Sequence, residues 1–471
     1  MILCMILACL SKSAAVTFTV SLLLIDFYKG KNIFNIKVWV EKIPFFALSI
    51  AFGVLTFFSR NSEGSNFEIA TKYNLFDRFL MVCHTLCFYW LKLLVPTKIL
   101  LWYPFYKENN TWNVDYYLAP LVLAALAYFI FFKSGKWKNS LIFGFGFYCI
   151  VIGLSLPYVK TGAAEMCSDR YNYLPMLGFF FVIATFLNEI KEKNTAKIAV
   201  SATIVIWGLY YSYMTFSHAQ VWKNSETLFS DYISKNPKEP TPFFNRGLYY
   251  MLKDNFTKAE NDFNQVLKLD ASYFGDTYRR GYCRMELKRY EEAIKDFDAS
   301  LKENPNQTNA LMYRGFSNLQ LARFQQAVND YDAASKLNAS NESIFYHRGL
   351  SYAGLNQTEK AIEDYQKAIA LKPDYTEAYI NMGNLYGMIG QAQKAIEQFD
   401  KAIQISQRFP NAYANRAYTY FGQKMYQKAI EDFTKAIQLN PNYGRAYQGR
   451  AMAYKAIGEE EKANQDLMRL K

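Results

Sequence analysis

Hydrophobic and polar positions divide the chain into two halves that differ in kind. Up to Phe216 the sequence is a series of apolar runs at about 43–59, 75–95, 116–132, 140–157, 173–188 and 198–216. Runs of roughly 17 to 22 apolar residues predict membrane-crossing helices, because lipid offers the backbone no hydrogen-bond partners and each segment must satisfy its own. From Ser217 onward the pattern is polar, helical and periodic. Aligned on Gly247 with a step of 34, Gly281, Gly315, Gly349 and Gly383 fall in register, followed by Ala417 and Ala451. Twelve residues further on stand Ala259, Ala293, Ala327, Ala361, Ala395, Ala429 and Ala463. Four more along come Phe263, Phe297, Tyr331, Tyr365, Phe399, Phe433 and Leu467.

A period of 34 with two helical halves, a small residue in each and an aromatic in the second is the tetratricopeptide pattern. The small residues let helix A and helix B of one unit approach closely, and the aromatic fills the gap to the next unit. Units are expected to begin near Pro240, Phe274, Thr308, Glu342, Thr376, Pro410 and Gly444. The expected fold is all-α: a polytopic transmembrane helical bundle over 1–216 with about 7–8 hydrophobic segments, then a tetratricopeptide α-solenoid of seven units over 240–471. Residues 217–239 read as a juxtamembrane helix or half repeat, stiffened by Pro237 and followed by Pro240 and Pro242.

The position before each register Gly or Ala carries Arg246, Arg280, Arg314, Arg348, Met382, Arg416 and Arg450. Sixteen residues downstream stand Asp262, Asp296, Asp330, Asp364, Gln398, Asp432 and Asp466. The unit that lacks the Arg also lacks the Asp. This joint exception predicts an Arg–carboxylate pair inside each unit, fixing helix register more than adding net stability. Pairing across units is not expected, because it would set Asp364 against Met382 and Gln398 against Arg416.

Helix A of a tetratricopeptide stack lines a concave surface, and nine residues are expected there: Tyr278, Tyr282, Met312, Phe316, Tyr346, Asn381, Asn384, Asn415 and Tyr418. Asn side chains suit an extended peptide backbone, and aromatic faces suit apolar side chains or sugar rings. The competing reading for Tyr278 and Phe316 is inter-repeat core. Tyr352, Tyr386, Tyr420 and Tyr454 are read as core.

Charge locates the membrane half further. It carries 19 Lys and Arg against 11 Asp and Glu up to Phe216, and 34 against 30 follow. A basic excess in the apolar half reads as membrane-flanking charge, and nucleic acid is not an expected partner. Basic loops at Lys29–Lys42 and Lys133–Lys138 mark the cytoplasmic side. They share a side only if the 75–105 segment is a re-entrant hairpin or a pair of short helices. Taking 133–138 as inside places the repeats outside the cytoplasm, in a multi-pass integral membrane protein. His84, between Cys83 and Cys87, is weighed as a metal ligand and rejected in favour of an interhelical hydrogen bond. Lys92 is expected to snorkel. Neither a metal site nor a bound cofactor is expected.

Ser11-Lys12-Ser13-Ala14-Ala15-Val16 with Leu22 to Asp26, the segment Ser168-Asp169-Arg170-Tyr171-Asn172-Tyr173-Leu174-Pro175 with Gly178, and the repeat array together are similar to the transmembrane-and-tetratricopeptide O-mannosyltransferase-like proteins, of the GT-C type. The resemblance implies transfer of a sugar from a polyprenyl-phosphate donor to protein hydroxyls outside the cytoplasm. Glu165, Asp169 and Arg170, in a loop that carries both signs of charge at the proposed outer face, are site candidates against a reading as interfacial anchors, and in an active glycosyltransferase Asp169 and Arg170 would help bind the lipid phosphate. The acidic catalytic loop of such enzymes follows their first membrane helix. This chain begins in apolar sequence that reads as several helices later, and it carries Ser13 where relatives have an acid. The leading expectation is thus a membrane-anchored repeat protein that binds protein or peptide clients and contacts membrane lipid; the alternative is a GT-C-type glycosyltransferase.

Overall fold

A computed structural model describes residues 5–6, 17–62, 73–94, 103–104, 111–153, 166–167, 174–189, 194–270 and 276–470. It divides into two units, Met1–Lys235 and Asn236–Lys471.

The first unit is helical. It contains α1 (Phe18–Tyr28), α2 (Ile36–Val40), α3 (Ile43–Ser62), α4 (Leu75–Leu94), α5 (Val114–Tyr128), α6 (Lys138–Ile152), α7 (Met176–Glu189), α8 (Asn194–Ala219) and α9 (Ser225–Lys235). Two helices among the described residues are long and apolar enough to cross a membrane, Val114–Lys133 and Ile198–Lys223. The first joins α5 to a π-helical turn at Phe129–Lys133, and the second continues α8 through a 3₁₀ turn at Gln220–Lys223. Phe18–Tyr28, Ile43–Leu55 and Met176–Asn188 are apolar but shorter. The array of seven or eight spans expected from the apolar runs is thus reduced to two helices of spanning length in the described residues.

Of the 75–105 segment, Leu75–Leu94 is one unbroken 20-residue helix, and residues 95–102, where a hairpin or second helix would follow, lie outside the described residues. Helix α4 packs Leu80, Met81 and Tyr89 with Trp112, Tyr116, Tyr148 and Ile152 in a buried cluster. Asp77 accepts a 2.7 Å hydrogen bond from the Trp112 indole, which ties the start of α4 to the start of α5. Beyond α4, the two-residue strands β1 (Tyr103–Pro104) and β2 (Met166–Cys167) pair antiparallel, with Tyr103 opposite Cys167.

The second unit is a run of antiparallel helix pairs: α10 (Pro240–Met251) with α11 (Phe256–Leu269), α12 (Asp276–Glu286) with α13 (Tyr290–Glu303), α14 (Thr308–Gln320) with α15 (Phe324–Leu337), and α16 (Glu342–Gly354) with α17 (Thr358–Leu371). There follow α18 (Thr376–Met388) with α19 (Ala392–Ile405), α20 (Pro410–Gly422) with α21 (Tyr426–Leu439), and α22 (Gly444–Ala456) with α23 (Glu460–Met468). The periodic Ala residues are completely buried, and Phe263, Phe297, Tyr331, Tyr365, Phe399 and Phe433 are buried beside them. Leu467, in the last pair, is half-buried. Close approach explains the register glycines: a Cβ at Gly383 would stand 2.7 Å from the Phe399 ring.

Each helix A turns into helix B through a residue with positive φ: Asp254, Lys288, Ala322, Asn356, Gly390, Lys424 and Gly458. These too are spaced by 34. Only two are glycine, so the other five turns hold L-residues in the left-handed region, at a cost of about 1 kcal/mol each.

The Arg–Asp pairs form inside the units. Arg348 donates through Nε and Nη2 to the two oxygens of Asp364, each at 2.7 Å, and Arg246, Arg280, Arg416 and Arg450 fork onto Asp262, Asp296, Asp432 and Asp466 alike. Arg314 directs both groups to one oxygen of Asp330. Among the described residues no register Asp pairs with the register Arg of the next unit, as expected, yet a second contact of the same Arg does cross between units. The remaining guanidinium nitrogen reaches the preceding helix B, where Arg280 meets Asn264, Arg314 meets Asp298, Arg348 meets Asp332, Arg416 meets Asp400 and Arg450 meets Thr434. The cross-unit acceptor sits two residues past the register Asp or Gln of the preceding unit. Before Met382, the equivalent position is Gln366.

Candidate functional site

The nine residues expected on the helix-A face all lie within described helices, and all are half-buried. They belong to alternate helices: Tyr278 and Tyr282 to α12, Met312 and Phe316 to α14, Tyr346 to α16, Asn381 and Asn384 to α18, and Asn415 and Tyr418 to α20. Residues three or four apart share a helix face, so successive A helices present these pairs side by side.

The rings are in contact from one unit to the next. Tyr278 and Tyr282 both pack on Tyr313, with ring centroids 6.1 Å and 5.0 Å away. Tyr278 also lies 6.2 Å from the core ring of Phe297, so it is both wall and packing residue. Phe316 meets Tyr290 and His347 edge-on. Tyr346 stacks obliquely on Tyr375 at 4.7 Å and accepts a 3.1 Å hydrogen bond from Asn381. Asn415 donates to Asn384 at 2.8 Å, bridging α20 and α18. The Tyr418 hydroxyl donates to the Arg445 carbonyl at 2.7 Å. Met312 receives the Asn341 amide at its sulfur.

Burial pushes the hydroxyls of Tyr278 and Tyr282 up to about 12. Both are neutral donors at physiological pH. Tyr282 donates to Glu286 one turn along α12, and the carboxylate raises it further. Burial likewise lowers the pKa of His347, opposed by the bond between its Nδ1 and the Ser343 carbonyl at 2.7 Å.

Tyr313, His347 and Tyr375 were not among the nine. The signal was present for the first two: Tyr313 and His347 precede Asn381 and Asn415 at intervals of 34. Tyr375 comes from the loop before α18, which helical spacing does not reach. The tyrosines read as core, Tyr352, Tyr386, Tyr420 and Tyr454, are half-buried and pack against the buried clusters. A lysine eight residues on, Lys360, Lys394, Lys428 or Lys462, stands 5.4 to 5.7 Å over each ring. In the second and third units the pair becomes Arg284 with Glu292 and Asn318 with Gln326.

In the first unit, Glu165, Asp169 and Arg170 lie outside the described residues. His84 forms an interhelical hydrogen bond, 2.9 Å from its Nε2 to Asp115, and stacks on Tyr116 with centroids 3.9 Å apart. Lys92 places its ammonium over Tyr103 and Phe88. No group of three or more metal-ligating side chains occurs among the described residues.

Family models described as tetratricopeptide repeat match residues 241–273, 277–307, 376–409 and 410–443, and one described as TPR repeat matches 351–390. These models describe repeats, and no match supports the O-mannosyltransferase-like resemblance. No curated protein matches the chain. Among solved structures, the crystal structure of MamA is 26% identical over 34% of this chain and 94% of its own, with a TM-score of 0.33. A tetratricopeptide repeat protein from Parabacteroides merdae is 20% identical over 49% of this chain and 91% of its own, with a TM-score of 0.42. YrrB, described as a TPR protein with an unusual peptide-binding site, is 20% identical over 46% of this chain and 95% of its own, with a TM-score of 0.29. The period, the helix pairs and the family matches agree: the carboxy-terminal half carries tetratricopeptide repeats.

Proposed function

We propose that the protein is anchored in a membrane and uses the helix-A face of its repeats, outside the cytoplasm, to bind an extended segment of a protein client. Stacked repeats create extended binding surfaces of this kind. The observation that carries the reading is the continuous line of half-buried aromatic and amide side chains from α12 to α20. Buried core would have hidden them, and a solvated face would carry charge. The Asn384 and Asn415 amides supply donors and acceptors suited to a peptide backbone, and the rings supply apolar walls. Anchoring is supported by the two helices of spanning length, and lipid contact follows from it. Lys133 at the end of the first of these helices, with Lys136 and Lys138 just beyond it, supports a cytoplasmic loop there.

Backbone recognition by amides is independent of client sequence. The Asn384→Ala/Asn415→Ala chain is therefore expected to weaken every peptide of a mixed-sequence library, by about tenfold or more for two lost amide contacts. Unchanged binding across the library, measured by fluorescence anisotropy on the purified full chain, would refute amide-mediated peptide recognition.

A further inference from the structure

One cavity of about 360 Å³ opens on the helix-A face, between α12, α14 and α16. Its walls include the rings of Tyr290, Tyr313 and Phe316 and the flexible side chain of Met285, with Glu286, Lys288, Ser343 and His347 as polar members. We infer that this cavity holds a basic side chain of the bound segment, an arginine, with its guanidinium between Glu286 and the ring faces. The inference rests on the peptide-binding reading and adds the chemistry of the residue recognised.

Charge complementarity argues for a cation over an apolar side chain. Glu286 is exposed, positioned by the Tyr282 hydroxyl, and in no ion pair among the described residues. Acids close to it in sequence and space are neutralised: Glu260 by Arg284 and Arg289, Asp296 by Arg280 and Arg284, Glu292 by Arg289. A carboxylate not engaged in an ion pair beside three aromatic rings presents the field that a guanidinium stabilises, through ring quadrupoles and a charge-assisted hydrogen bond. Lys288 also lines the cavity but forms no ion pair with Glu286.

Donor and acceptor bookkeeping points the same way. The Nδ1–H of His347 is committed to the Ser343 carbonyl. That leaves Nε2 as an acceptor on a ring that lines the cavity. Two acceptors, one of them ionic, match a ligand rich in N–H groups and no acceptors, which is arginine. Met285 and Met312 supply adaptable apolar surface for the aliphatic stem.

The test uses short fluorescein-labelled peptides with Gly-Ser flanks and one variable central residue, titrated against the purified full chain. The set comprises arginine, citrulline, lysine, norleucine, tryptophan and glutamate. Citrulline keeps the shape of arginine and removes its charge. The arginine peptide is expected to bind about tenfold tighter than the citrulline peptide. Glu286→Gln, on an exposed residue whose loss should leave the melting curve unchanged, is expected to bring the two to near parity, and Glu286→Lys to favour glutamate. If peptides bind with no preference for arginine, or if Glu286→Gln leaves the preference intact, the inference is overturned while peptide binding stands. If no peptide in the set binds, both readings fall together.

Discussion

His347 shows how burial of one side chain becomes a pH response. Its ring packs 5.9 Å from Tyr331 and 5.1 Å from Tyr346, and burial holds its pKa below the ordinary value. The unfolded chain takes up the proton near pH 6.5, before the folded chain does. Stability from this group is therefore complete above about pH 6.5 and is lost as pH falls toward the lowered folded value. Melting temperature of the full chain should decline between about pH 7 and 5, and His347→Phe should reduce that decline. An identical decline in the variant would show that other groups are responsible. His347 also illustrates what residue-level reading missed. Its register relation to Asn381 was visible at a spacing of 34, but the change of residue type from Asn to Tyr and His concealed it.

At the scale of the element, the Arg–Asp pair joins helix A to helix B, and in five units one further nitrogen of the same Arg joins the unit to the one before. Sequence showed the in-unit pair, because Met382 and Gln398 change together. It concealed the cross-unit bond because the acceptor varies among Asn264, Asp298, Asp332, Asp400 and Thr434, and such a mixture gives no single-residue period. Burial pushes the Asp262 and Asp330 carboxyls up even though their arginines pull them down, so desolvation consumes much of what the pairing gains. The fifth unit, with a buried Met382 and Gln398, shows that an uncharged solution folds as well. Arg348→Met alone should cost about 3–5 kcal/mol, because it strands a buried Asp364. Arg348→Met with Asp364→Gln, which copies the fifth unit, should recover most of that loss in urea unfolding. A double variant no more stable than the single one would mean that the pair itself, not the avoidance of a lone charge, holds the unit.

The whole molecule combines an apolar helical unit with a repeat array, and the two were legible to different degrees. Repeats report themselves seven times over in the chain, so small errors at one position are corrected at the next. The apolar half offers no such redundancy. Run length alone suggested six spans beyond the first segment, whereas two described helices reach spanning length, and α4 absorbed Asp77 and Lys92 into a continuous helix by giving them Trp112 and the Phe88 and Tyr103 rings as partners. Of the candidate site, the nine helix-A residues were visible because helix spacing places them. The cavity was not, because it also needs Tyr290 from helix B and Glu286 at a helix end. The one cysteine of the repeat half, Cys283, is wholly buried, so a thiol placed on the surface is needed to report the side of the membrane. A more direct probe is a membrane-impermeant photoactivatable maleimide added to intact cells that carry Met312→Cys, on the helix-A face, or Glu397→Cys, exposed on helix B. Both sites should react, and after illumination Met312→Cys should capture protein clients that Glu397→Cys does not; reaction at neither site, or equal capture from both, would contradict an extracytoplasmic peptide-binding face.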